Sequence, residues 1–258
     1  MASTMYLTST VLTASARYSL SYTAPASANS SFGWVVDSKA APNFSPFRPA
    51  TLQAANTFVT TEPTAFSTYG FRSPAVMMGT FSDANWVLTV KVRSGATYYA
   101  QTGTVRFRLW RSTDATGASA TQVTPGWQAS STISFTAAAQ EQTATVTWTP
   151  GATVALTREY LFLELEWSAD NSGGNASAEV RLVFNDGVAK LDTPDYTVAA
   201  MITQEPIEVL GSVSPNLRVT QLPIEMLGGN DPAVRVTQQV IEVLYLSAGA
   251  KVVMAELY

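Results

Sequence analysis

Two carboxylates, Glu164 and Glu166, stand two residues apart in the run Tyr160 to Trp167. On an extended chain, residues i and i+2 share a face and lie about 7 Å apart. That separation falls within the span used by an inverting glycosidase, where one carboxyl protonates the leaving oxygen and the other activates water. A working pair flanks its substrate from two sides of a cleft, whereas these two belong to one strand face. The alternating run Val105 to Trp110 offers Arg106 and Arg108 as cross-strand partners. A solvated row of ion pairs is therefore the expectation for Glu164 and Glu166, and no catalytic residue is assigned.

Other candidate chemistry is thinner. The loop Asp170 to Asn175, with Asp186 further on, carries oxygen ligands but lacks the spacing of a calcium loop. It reads as a turn, so no metal ligand is assigned. The sequence has no histidine and no cysteine, which removes Ser–His and Cys–His nucleophile systems, thiolate metal sites and any disulfide framework. No glycine-rich phosphate cradle follows a strand-to-helix pattern, and no cofactor is implied. Trp110 and Trp127, near loops or on an outer face, could stack on a glycan or form an interface; the alternative is that they cover the ends of the sheets.

The elements that must position these residues are strands. From about Phe71 to Phe184 apolar residues alternate with polar ones. Trp86, Leu88, Val90 and Val92 form one such set, Val105, Phe107 and Leu109 a second, and Leu161, Leu163, Leu165 and Trp167 a third. Alternation bounded by Gly, Asp, Asn and Pro turns predicts antiparallel sheets with one face to water. The expected fold is all-β, an antiparallel β-sandwich of jelly-roll or immunoglobulin-like size over residues 68–187.

Residues 1–67, rich in Ser, Thr, Ala and Pro with scattered aromatics, read as an extended N-terminal arm that packs on its own domain or on a neighbour. Residues 188–258 read as a C-terminal arm with three β-repeats. MITQEPIEVL, RVTQLPIEML and RVTQQVIEVL begin at 201, 218 and 235, a step of 17 residues both times. A fixed period marks units that bury their apolar faces on copies of themselves or on partners. Alternation changes phase within each phrase, and Pro206 and Pro223 stand at the change, as suits edge strands. The partner-binding residues expected from this pattern are Ile207, Val209, Ile224, Met226, Ile241 and Val243.

Charge limits the partners. Only 13% of the residues are charged and the formal net charge is −4, so no basic surplus exists to neutralise phosphates and nucleic acid is not expected. No run of 18 apolar residues is present to span a membrane, and the N-terminus lacks the form of a secretory signal.

The runs TVRFRLWRSTDATGASATQVTPGWQ and TATVTWTPGATVALTREYLFLELEWSA, followed by copies of the RVTQ phrase, resemble virion structural proteins of tailed bacteriophages. The resemblance covers about residues 70–258 and transfers no functional residue. It implies a non-enzymatic β-sandwich subunit of a capsid, neck or tail, located in the virion. Such a subunit would be a homo-oligomer tied by its arms to other virion proteins. The alternative it leaves is a carbohydrate-binding, host-recognition sandwich on a tail fibre that contacts a surface glycan.

Overall fold

A computed structural model describes residues 2–12, 17–26, 30–36, 43–47, 61–67, 69–96, 101–172 and 178–198. Among them are fifteen strands and no helix. In chain order they are β1 (Ala2–Val11), β2 (Tyr18–Ser21), β3 (Ser30–Val36), β4 (Asn43–Pro46), β5 (Phe71–Arg72), β6 (Met77–Phe81), β7 (Trp86–Ser94) and β8 (Gln101–Ser112). They continue with β9 (Thr121–Gln122), β10 (Gln128–Ala129), β11 (Ile133–Phe135), β12 (Glu141–Trp148), β13 (Val154–Ser172), β14 (Ala178–Phe184) and β15 (Lys190–Val198). The expectation of an all-β chain is met.

Six strands close into a ring in the order β13, β5, β2, β1, β15 and β6, with β6 returning to β13. All of these pairings are antiparallel except β2 with β5. A closed ring removes the open edges that would otherwise invite association. β13 can serve the ring and a further layer because a bulge between Thr157 and Glu159 redirects it. Through Glu159 it pairs with β6, and from Tyr160 onward with β8. Arg158 sits in the bulge at φ 63°, the extra residue that lets one long strand turn a corner.

Two sets of strands extend from the ring. β8 lies along β13 over residues 101–112 and carries β9, β10 and β11, while β4 pairs with β13 as well. On the other side β7 lies beside β15 and carries β12 and β14, with β3 beyond. Alternation does what the sequence suggests in β7 and β12. Trp86, Leu88, Val90, Val92, Ala144, Val146 and Trp148 are buried, while Thr143, Thr145 and Thr147 are exposed. One apolar cluster takes in Leu7, Phe71, Phe81, Trp86, Phe107 and Trp167 and joins the ring to both extensions.

The described strands of the segment 1–67 join the sheet: β1 and β2 belong to the ring, and β3 and β4 lie on the two extensions. Likewise β15, beyond the boundary expected at 187, closes the ring. Met1–Met201 forms one compact unit and Ile202–Tyr258 a second. The second unit, and with it Ile207, Val209, Ile224, Met226, Ile241 and Val243, lies outside the described residues.

Candidate functional site: a covered arginine and carboxylate face

The register of β8 against β13 puts Glu164 opposite Arg108 and Glu166 opposite Arg106. Both pairs form. Arg108 Nε donates to Glu164 Oε2, and Arg106 Nη2 stands 2.5 Å from Glu166 Oε1. The cross-strand partners are those the sequence indicates, but the expected solvation is absent. Glu164 and Arg108 are each 2% exposed and Glu166 is 0% exposed. From Leu161 to Ala169 every residue of β13 is buried, so this strand is covered on both faces.

The cover is the chain itself. Residues 61–67, which form no strand, run as a strap across the β8 and β13 face and are held by side chains beneath them. Arg108 donates from Nη1 to the Pro63 carbonyl at 2.8 Å and from Nη2 to the Ala65 carbonyl. Trp127 Nε1 donates to the same Pro63 oxygen at 3.0 Å. Arg17 donates to the carbonyls of Ser67 and, at 2.7 Å, of Tyr69. In return the Ser67 N–H donates to Glu164 Oε1, and Glu62 takes a 3.2 Å hydrogen bond from Arg106. The strap's carbonyls thus replace the water that these guanidinium groups give up on burial.

Aromatic rings separate the cations. Arg106 lies between Phe44 and Trp127, with its guanidinium carbon 4.9 and 5.3 Å from the ring centroids. Arg108 lies between Trp127 and Trp110, at 4.2 and 4.9 Å. Arg17 lies between Phe66 and Phe162, at 4.3 and 4.9 Å. Phe66, the strap's one aromatic residue, meets Trp110 edge to face at 5.2 Å and Phe162 at 5.3 Å. Gly117 completes its pocket: φ is +83°, and a Cβ there would collide with the Phe66 ring. Desolvated cation–π contacts of this kind contribute up to about 2 kcal/mol each.

Burial dominates the electrostatics. It pushes the Glu166 carboxyl up to about 8 against the pull of Arg106 and Arg108. Glu164 is also raised by burial, opposed by Arg108 and by the donors Ser67 and Trp110. Burial draws Arg17 down to about 10, with Glu164 opposing it. Among the described residues, neither oxygen of Glu166 has a hydrogen-bond partner, nor do Nε and Nη2 of Arg106. The contact between the two is close but out of hydrogen-bond alignment.

Trp110 and Trp127 both lie against the arginines of this face. Trp110 is 7% exposed and donates to Glu164 Oε2 at 2.7 Å, while half-buried Trp127 covers two arginines. Glu164 and Glu166 lie sealed beneath the strap, without the opening that glycoside hydrolysis requires. Asp186 is spoken for as well. Burial tends to raise it, but the N–H groups of Ala189 and Val188 and the Lys91 ammonium hold it below its ordinary value. Among the described residues no group of three acidic side chains could hold a metal ion, and no helix is long and apolar enough to cross a membrane.

Sequence reading did not find Arg17 or Phe66. They stand 91 and 42 residues before Arg108, and no periodicity links them to β8. The one local signal was Pro63, which biases the residue before it toward extended backbone.

No protein-family profile matches this chain, and no curated protein does. Among solved structures, one similar chain is titled an alpha-amino acid ester hydrolase labelled with selenomethionine. It has a TM-score of 0.48 and 12% identity, over 77% of this chain and 36% of that one. This chain thus spans about a third of the hydrolase's length. The comparison names a hydrolase and not a virion protein. The expectation of a non-enzymatic virion subunit is corrected on that finding, and the tail-fibre alternative goes with it. A likeness of this degree does not carry the hydrolase's chemistry to this chain.

Proposed function

We propose that the body Met1–Met201 is a self-associating domain, a jelly-roll type sandwich that docks on a second copy through the outer face of β12, β7, β15 and β1. In this reading β8 and β13 form one layer and β12, β7 and β14 the other, stacked across the apolar cluster.

The observation that supports it is the chemistry of that outer face. Thr145 lies opposite Thr89, Thr89 opposite Lys190, and Lys190 opposite Tyr6. In the next row Thr147 faces Val87, which faces Asp192, which faces Thr4. The charges on and beside the face are matched. Lys190 pairs with Asp192 at 2.9 Å, Lys91 with Asp186 at 3.0 Å, Arg181 with Glu179 at 2.5 Å and Arg93 with Glu141 at 3.9 Å. What remains is a neutral surface of hydroxyl groups.

A hydroxyl both donates and accepts, so a threonine row is complementary to itself across a two-fold axis. A surface with balanced charges does not repel its own copy. The test is the native mass of the full chain against that of a Thr145→Arg, Thr147→Arg variant. The wild type is expected to form a dimer or a multiple of it, and the variant a monomer, because the added charges meet their own images. A monomeric wild type, or a variant of unchanged mass, overturns the reading.

A further inference from the structure

We infer that the strap-covered face of β8 and β13 is a peptide-recognition site occupied by its own chain. Its ligand class is an extended segment carrying an acidic residue, then proline, then phenylalanine three residues after the proline. In the structure that segment is Glu62, Pro63, Thr64, Ala65 and Phe66.

Three features set the strap apart from an ordinary loop. First, it is bound across a sheet face and yet takes part in no strand pairing, so its removal breaks no ladder. Second, the groups that hold it are side chains aimed at its main-chain carbonyls. Arg108, which is 2% exposed, serves Pro63 and Ala65, Arg17, which is 1% exposed, serves Ser67, and Trp127 serves Pro63. Donors aimed at carbonyls recognise any extended chain, which is how peptide-binding grooves gain affinity independent of sequence.

Third, specificity is concentrated at two points. Phe66 fills a pocket made by Trp110, Phe162, Arg17 and Gly117, and Glu62 meets Arg106. Pro63 cannot donate and needs no acceptor here, and it biases Glu62 toward extended backbone, which lowers the entropy lost on binding. A pocket in which a glycine is required by both φ and space, with a phenylalanine in it, is built for that ring.

The site is self-occupied because a tethered ligand acts at an effective concentration in the millimolar range. A free peptide competes once the tethered anchor is weakened. The experiment uses the full chain with Phe66→Ala and two synthetic peptides of the Thr61–Ser67 sequence, one intact and one with alanine in place of the phenylalanine. Binding is measured by calorimetric titration, alongside the thermal midpoint.

The intact peptide is expected to bind the variant saturably, at least about tenfold more tightly than the alanine peptide, and to raise its midpoint. Wild-type chain is expected to bind the intact peptide about a hundredfold more weakly than the variant does. If Phe66→Ala does not fold, Phe66→Leu takes its place with the same readings. Equal binding of the two peptides, no binding, or equal binding by wild type and variant each overturns the inference. The outcome is independent of the oligomer test, which concerns the opposite face.

Discussion

Two sheet faces of this domain start from the same pattern and end in opposite states. On β7 and β12 the residues between the apolar positions are Thr143, Thr145, Thr147, Thr89 and Lys91, and they meet solvent. On β8 and β13 the equivalent residues are Arg106, Arg108, Glu164 and Glu166, the last three almost fully buried. Period-2 alternation says which side of a strand a residue takes. Whether that side is wet depends on whether another part of the chain returns to cover it. Charged residues that make strong directional hydrogen bonds are also the ones able to hold such a cover, since each guanidinium presents several donors to passing carbonyls.

The sharpest way to break this contrast is to remove one member of the buried pair. Arg108→Met leaves Glu164 sealed without its cation, and frees the carbonyls of Pro63 and Ala65. Breaking a buried pair from one side costs about 3–5 kcal/mol, a large part of the stability of a domain this size. Chemical denaturation should show that loss. Adding Glu164→Gln to the same chain should restore at least half of it, because a neutral amide needs no cation and its one oxygen still accepts from Ser67 or from Trp110. A single variant as stable as wild type would show that the pair is not charged in the folded state.

A change of pH acts on the same face by a gentler route. Folded Glu166 keeps its proton up to about pH 8, against an ordinary value of 4.5. The folded domain therefore binds more protons than the unfolded chain between those values. Its stability is full below the ordinary value and is lost as pH rises through about 8, with a slope of at most about 1.4 kcal/mol per pH unit for one proton. Denaturation midpoints measured from pH 5 to 9 should fall, and Glu166→Gln should flatten the decline. A midpoint that rises with pH would place Glu166 in the ionised form throughout. Asp186 works in the opposite sense, since its stabilisation disappears as pH falls below its ordinary value of 3.8.

These expectations also mark what was legible in the sequence. That Arg106 and Arg108 stand across from Glu164 and Glu166 was readable from two alternating runs of opposite charge; which arginine meets which carboxylate is set by the register of β8 against β13. The all-β class was readable from the same alternation. The covering of that face was not. Arg17 and Phe66 come from segments whose composition signalled only turns, and they reach β8 through the closure of the ring, a long-range event that leaves no local period. The place of β1 and β2 in the ring was hidden for the same reason. β1 and β2 supply Met5, Leu7 and Leu20 to the core, but polar residues surround these three and give no long alternating run.

The smallest expected effect lies on the open face, and it completes the comparison. Thr143→Ala, Thr145→Ala and Thr147→Ala remove hydroxyl groups that hold up nothing beneath them. Exposed substitutions of this kind stay within about 0.5 kcal/mol each. The triple variant should therefore unfold near the wild-type midpoint at a protein concentration low enough to keep both monomeric. At high concentration the two should separate, since only the wild type presents hydroxyl rows to a second copy and gains stability by mass action. A midpoint lowered equally at both concentrations would place these threonines in the fold of the single chain. The open face would then be as structural as the covered one.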